Sequence, residues 1–404
     1  MALTRTEPAP PPPPAAHPMV AVAAPGTDLH QSVRDLAHQG TKCLAVFLPH
    51  IIRPLAATDD VPPGHFTHTV VHASMRRTLT ALRAHHVGAV LAGSAQGIDL
   101  ADQLAQQLRV PGNAPLTSAL RRDRAAQADA LTLAGLAAPL HLRTKRLSSA
   151  VRWARFLNLP AYVVAPADSS VAGPARTCHT HAQIGLAWGA LRRAAHRQSG
   201  DHHLVIQEAV PGPYYLLHTV SHAGRHTVGE IWCETRTPGG PADRADRVPG
   251  NGVLARALTL YLTRALDALG ITEGTFRSRI AYPPDRGPVL LATRLDAATG
   301  LRAATHLPGG APRREPSLPM TRVSLIAPHE GTVAPQLLRA VTSLPTVARI
   351  EGDGLYGGAP VARTVSRLTC PGTLVLTGGR RAIEADYRAI RSLEAQGLFA
   401  GVGR

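Results

Sequence analysis

The sequence predicts a layered α/β protein that opens with a small parallel sheet. Two short apolar runs, Cys43–Leu48 and Val87–Gly93, have the length and unbroken hydrophobicity of strands buried on both faces. Helical spacing brackets the second run. Leu79 and Leu82 share one face of Met75–His85, and Leu100, Leu104 and Leu108 recur at i, i+4, i+8 along Ile98–Leu108. No segment repeats and no heptad is sustained, which excludes a solenoid or a coiled coil. Strand, helix, strand, helix in this order specifies a parallel layer.

The elements follow in order. Met1–Pro18 carries the Pro10–Pro14 tract, which can join neither helix nor sheet, and lacks the apolar core and cleavage site of a signal peptide. Residues 1–27 are therefore expected to be an extended tail, with order beginning near Asp28 and a first domain over 28–112. The breaker-rich stretch Val110–Pro115 is a natural boundary. Beyond it, 113–210 reads as helix Arg121–Leu133, helix Ser148–Leu157, strand Ala161–Ala165, helix Thr180–His196 and strand Leu204–Gln207. A third unit, 211–310, has a hairpin over Tyr215–Glu234 turning near Ala223-Gly224. Helix Val253–Leu269 and strands Phe276–Tyr282 and Pro288–Ala292 complete it. The last unit, 311–404, follows a looped Pro308–Pro319, with strands near Val323, Val361 and Leu374 and a helix over Ala382–Gln396.

Composition narrows the function classes. The chain has 404 residues, a formal net charge of +16 and only 4% aromatic residues. Such charge suits an anionic partner, but no dense basic run or interleaved aromatic platform accompanies it, so nucleic acid is not expected as a partner. No apolar stretch is long enough to span a bilayer, and no membrane partner is expected. Cys43, Cys178, Cys233 and Cys370 stand far apart with no Cys-x-x-Cys pair, which fits reduced thiols and a cytoplasmic location.

Several stretches, in order along the chain, resemble the ATP-grasp superfamily, specifically the amino-acid and peptide (carboxylate–amine) ligases of microbial specialised metabolism. Ala92-Gly93-Ser94-Ala95-Gln96-Gly97-Ile98-Asp99 resembles the domain that precedes the grasp, and Pro111-Gly-Asn with Arg121-Arg122-Asp123 the segment that opens it. Val205-Ile-Gln207-Glu208 with Pro211-Gly212-Pro213 is similar to the hinge strand over which adenine lies. Ala265-Leu-Asp267-Ala-Leu-Gly270-Ile271 and Gly287-Pro288-Val289-Leu290-Leu291 resemble the helix and strand that bound the catalytic centre. Leu344-Pro345, Cys370-Pro371-Gly372 and Asp386–Arg391 continue the likeness to the C-terminus. The resemblance implies an ATP-grasp fold with a small α/β domain before it. It also implies chemistry that joins a carboxylate to an amine through an acyl phosphate.

That chemistry crowds negative charge, so a ligase site neutralises phosphate with basic side chains and divalent metal held by carboxylates. The resemblance places Arg124 at the first phosphate-binding position and Gln207 and Glu208 at the nucleotide hinge. The second basic position falls on Ala165, and the ribose carboxylate position on Tyr214. The phosphate loop, Asp168–Pro174, holds one glycine and a proline that removes an amide donor. The two metal-binding glutamate positions fall on Arg279 and Ala292, with Arg294 just beyond. At about 4 Å and an effective dielectric of about 20, a cation at Arg279 repels each unit of metal charge by about 4 kcal/mol. Arg279 and Arg294 are thus the candidate catalytic-centre residues, Arg124, Gln207 and Glu208 the candidate nucleotide contacts, and no metal ligand is assigned. ATP remains a cofactor the resemblance allows; magnesium is disfavoured.

Cys178-His179-Thr180-His181 is compact, and His218 and His222 fall on one face of the hairpin with His226 nearby. No zinc-type spacing closes a ligand set, and exposed histidines are the expectation. Ser94 lacks the glycine pattern of a nucleophile elbow, and Cys178 beside His179 need not converge with it. Three readings follow: a pseudo-ligase or repurposed enzyme on this fold, an active ligase with relocated contacts, and a non-catalytic metabolite- or partner-binding protein. The ligand expected is a small carboxylate or amino acid, and the expected assembly a homodimer, the commonest closed oligomer.

Overall fold

The computed structural model describes residues 19–26, 29–49, 66–169, 171, 175–199, 202–236, 242–303, 318–352, 355, 360–365 and 369–401. The chain divides into two compact units, Met1–Gly112 and Asn113–Arg404.

In the first unit, β1 (Met19–Ala23), α1 (His30–His38), β2 (Cys43–Phe47), β3 (His68–Val71), α2 (Met75–Ala84), β4 (Val87–Ala92) and α3 (Ile98–Leu108) alternate. Their strands form a parallel sheet in the order β3-β2-β1-β4. Strand β1 corrects the expected tail of residues 1–27. Its Met-Val-Ala-Val-Ala run is short and follows a proline tract, yet it lies buried between β2 and β4. The Pro10–Pro14 tract lies outside the described residues. Leu44, Val46, Leu82, Leu100 and Leu104 fill the core.

Gly97 explains the glycines of the Gly93–Gly97 turn, because a Cβ there would meet the Ala23 carbonyl oxygen at 2.1 Å. Backbone cannot swing aside as a flexible side chain does. Gly97→Ala is therefore expected to lower stability by about 2–3 kcal/mol, read as a lower urea midpoint at unchanged slope.

The second unit opens with a 3₁₀ turn, Pro115–Arg121, and α4 (Arg124–Leu133). Then come β5 (His141–Thr144), α5 (Leu147–Leu157), β6 (Tyr162–Pro166), β7 (Arg176–Cys178), α6 (His181–Ser199) and β8 (Leu204–Glu208). The four strands pair antiparallel in the order β5-β8-β6-β7, and Ala150, Ala154, Ile184, Trp188 and Leu191 of α5 and α6 pack on Tyr162, Val164, Leu204 and Ile206.

A larger sheet follows. Its strands are β9 (Tyr214–His222), β10 (Arg225–Arg236), β11 (Ala242–Arg247), β12 (Gly274–Ala281), β13 (Val289–Leu295), β14 (Met320–Ser324), β16 (Val347–Glu351) and β17 (Thr373–Thr377). They run in the order β13-β12-β9-β10-β11-β14-β17-β16. Helix α7 (Val253–Ala268) lays Leu258, Leu262, Ala265 and Leu266 on one face, against Tyr215, Leu217, Ile231, Phe276 and Ile280. Helix α8 (Ala297–Ala303) follows β13, and α9 (Pro335–Thr342) and α10 (Arg380–Leu393) cover the C-terminal strands. The short pair β15 (Gly331–Val333) and β18 (Phe399–Gly401) closes the chain. Val361 makes a single bridge to Gly331 instead of the expected strand. Of the expected Pro308–Pro319 loop, residues 308–317 lie outside the described residues. No helix among the described residues is long and apolar enough to cross a membrane.

Below α10, Glu394 accepts from Ile326 N at 2.8 Å and pairs with Arg391 at 2.7 Å. Burial nevertheless pushes its carboxyl up to about 7, against the pull of Arg391 and the amide. An acid with a higher pKa folded than unfolded holds more protons in the native state. Its contribution is therefore full below the ordinary glutamate range and lost as pH rises to about 7. Glu394→Gln should flatten the dependence of unfolding free energy on pH across that window, measured by urea titration at several pH values.

Candidate functional site

The candidate site lies on the face of the large sheet opposite α7. Strand alternation puts Tyr215 and Leu217 under α7, so Tyr214, Leu216 and His218 point the other way. Register then fixes who neighbours whom. Ala292, Arg279, Leu216, Trp232 and Arg247 lie side by side across β13, β12, β9, β10 and β11. The next row holds Ala281, Tyr214, Glu234, Ala245 and Arg322, and a third places Arg294 and Arg277 beside His218.

Arg279 is held from two sides. Its Nη2 lies 3.0 Å from Glu234 Oε2, and its guanidinium stacks 4.6 Å above the Tyr214 ring. Arg236 approaches the same carboxylate at 3.9 Å and the same ring at 5.7 Å. Tyr214 is fixed in turn by donating to Val210 O at 2.9 Å. A parallel arrangement follows at Trp232, whose indole donates to Glu230 at 2.9 Å while Arg322 stacks over it at 4.2 Å and reaches Glu230 at 3.4 Å. Asp296 accepts from Arg277 at 3.2 Å and pairs with His218 at 3.5 Å. Burial would raise its carboxyl, but His218 and the Arg277 charge hold it well below the usual range.

Arg124, the first residue of α4, is fixed by its own backbone. Asp123 caps the helix by accepting from Ala125 N and Ala126 N, and Arg124 N donates to Ala167 O. Asp168 bridges back to Asp123, and Ser169 N donates to Arg122 O, so the start of the 168–174 loop is tied to this helix. Ser170 and residues 172–174 of that loop lie outside the described residues. Arg124 is only 7% exposed, and its Nη1 has no hydrogen-bond partner among the described residues. Burial first and Arg294 second push its guanidinium down to about 9, with Asp168 and Asp123 opposing. It stays charged at neutral pH. Arg124 and Arg294 are thus brought within electrostatic reach of each other, while Arg279 is engaged with Glu234 and Tyr214.

Gln207 and Glu208, the residues expected at a nucleotide hinge, sit on β8. Gln207 is buried, opposite Val163 and His141. The Glu208 carboxylate accepts from Leu140 N at 3.0 Å and from Arg286 at 2.8 Å, and Arg286 also donates to Ala138 O. In this arrangement Glu208 clamps the strand to the segment before β5.

The histidines of the hairpin take separate carboxylates: His218 with Asp296, His222 with Glu273, and His226 with Asp267 as well as Ser221 Oγ. Among the described residues, no three histidine, cysteine, aspartate or glutamate side chains come together in a way that could hold a metal ion. Glu234, Glu230 and Arg322 were not singled out in the sequence. Glu234 was within reach, since the hairpin register sets it opposite Tyr214. Arg322 depends on the β11–β14 pairing across 75 residues, which leaves no local mark.

No family model matches the chain. It is 25% identical over 271 residues to the dapdiamide A synthase of Enterobacter agglomerans, a match covering 65% of this chain and 63% of that protein's length. Among solved structures, an L-amino acid ligase from Bacillus licheniformis superposes with a TM-score of 0.69 at 16% identity, over 94% of this chain and 98% of the other. A carboxyaminoimidazole ribonucleotide synthase from Aspergillus clavatus, solved with ATP, gives 0.67 at 13% identity over 94% and 99%. The chain has the ATP-grasp fold that its resemblance to carboxylate–amine ligases implied.

Proposed function

We propose that this ligase-related protein uses guanidinium charge in place of magnesium to hold its anionic ligand, and is a pseudo-ligase or a repurposed enzyme. The observation that carries the reading is a pair of residues. Arg279 and Ala292, which the resemblance sets at the two metal-binding carboxylate positions, lie directly opposite each other on β12 and β13. One is a cation and the other has no donor atom, and Glu234 nearby is already engaged by Arg279. A divalent ion does not fit this donor set. The ligand class that does fit is a small carboxylate or amino acid, with a nucleotide phosphate directed to Arg124 and Arg294.

The alternative, an active ligase with relocated contacts, draws support from Arg124. A buried guanidinium nitrogen without a partner is costly unless an anion completes it. Phosphate release from ATP, assayed with single amino acids and with pairs, separates the two. The proposal expects none above background, with or without Mg²⁺; release that needs both an amino acid and Mg²⁺ would restore the ordinary ligase. A ligand that binds the native state raises the melting temperature by mass action, so thermal shifts identify binding without turnover.

A further inference from the structure

We infer that the cavity between β11, β14 and the start of α10 is a second anion site, for a compact organic phosphate carrying two or more negative charges. The cavity measures about 1070 Å³, at the upper end of small-molecule pocket sizes, and its walls carry Arg244, Arg247, Arg380, Arg381 and Arg388. Two carboxylates, Asp246 and Glu384, share those walls. Both are occupied by Arg244, Asp246 at 2.9 Å and Glu384 at 2.6 Å, and Glu384 also takes Arg388 at 3.2 Å. Thr321 Oγ1 donates to Asp246 at 2.7 Å, completing that knot. The acids therefore serve to brace Arg244 and leave the wall strongly positive.

Arg380 and Arg381 supply the open charge. They form the first turn of α10, are exposed, and make no ion pair among the described residues. The helix cap residue, Gly379, gives no side-chain hydrogen bond to that turn, and Gly252 at the start of α7, next to the lining residues Gly250 and Asn251, gives none either. Two arginines on a rigid helix suit the oxygens of a diphosphate in a way that isolated surface lysines do not, because each guanidinium presents a planar fork of donors. The adjoining wall is Leu318, Pro319, Met320 and Ile383, an apolar surface against which the organic part of the ligand lies.

The cavity contains none of Arg124, Arg279 and Arg294, and of the candidate-site row only Arg247 reaches its wall, so the Arg124→Met control separates the two sites. The test is calorimetric titration of the full chain with inorganic pyrophosphate at physiological ionic strength. Saturable binding that Arg380→Gln/Arg381→Gln weakens about tenfold or more, and Arg124→Met leaves in place, is the result expected. Asn251→Asp, which adds a carboxylate to the wall without touching either arginine, should weaken it as well and guards against a misfolded double variant. Absence of saturable binding, or affinity unchanged in both variants, would overturn the inference.

Discussion

Replacing Arg279 by alanine is expected to destabilise the protein by about 3 kcal/mol, because it removes a close partner from a carboxylate that is almost wholly buried. Glu234 has a side-chain exposure of 4%, with Arg279 at 3.0 Å and Arg236 at 3.9 Å. Breaking such a pair costs more than the pair contributes, since the remaining charge stays desolvated. The control is the double variant Arg279→Ala/Glu234→Gln, in which no charge is stranded; it should recover all but about 1 kcal/mol. Urea unfolding of the wild type and the two variants decides the matter. Near-equal midpoints for wild type and Arg279→Ala would mean that Arg279 is a loosely held surface charge. The local geometry would then say nothing about why a cation stands there.

The second large effect has the opposite sign. Arg124→Met should stabilise the ligand-free protein by about 2 kcal/mol, since a well-packed apolar side chain avoids burying a charge. The cause is visible in the fold: a guanidinium 7% exposed, pushed down by burial and by Arg294, with one nitrogen lacking a partner among the described residues. The same substitution should abolish the thermal shift produced by ATP or ADP. Stability gained with binding lost is the mark of a residue kept for its ligand. A less stable variant that still responds to nucleotide would make Arg124 a structural cation, braced by Asp123 and Asp168.

Much of the fold was legible because its periodicities are local. Ile98–Leu108 was read to the residue, and the hairpin turn fell at Ala223-Gly224, where both residues adopt positive φ. Strands poor in large apolar residues escaped notice. Strand β11, Ala-Asp-Arg-Ala-Asp-Arg, has the composition of a solvated loop and becomes a strand only because β10 and β14 pair with it. Strand β1 was hidden by its alanines and the prolines before it. At the candidate site, residue types at motif positions could be read from the sequence, but their partners could not. That Glu208 turns to Leu140 and Arg286, and that Arg279 faces Glu234 and Tyr214, depends on contacts between segments far apart in the chain.

Binding of ADP with and without magnesium tests the central claim most directly. Calorimetric titrations in excess EDTA and in millimolar Mg²⁺ should give the same affinity, because a guanidinium at Arg279 and a methyl at Ala292, side by side on β12 and β13, give a metal ion no donor atom. An affinity about tenfold or more tighter with Mg²⁺, some 1.4 kcal/mol of coupling, would contradict a cleft held together by arginines.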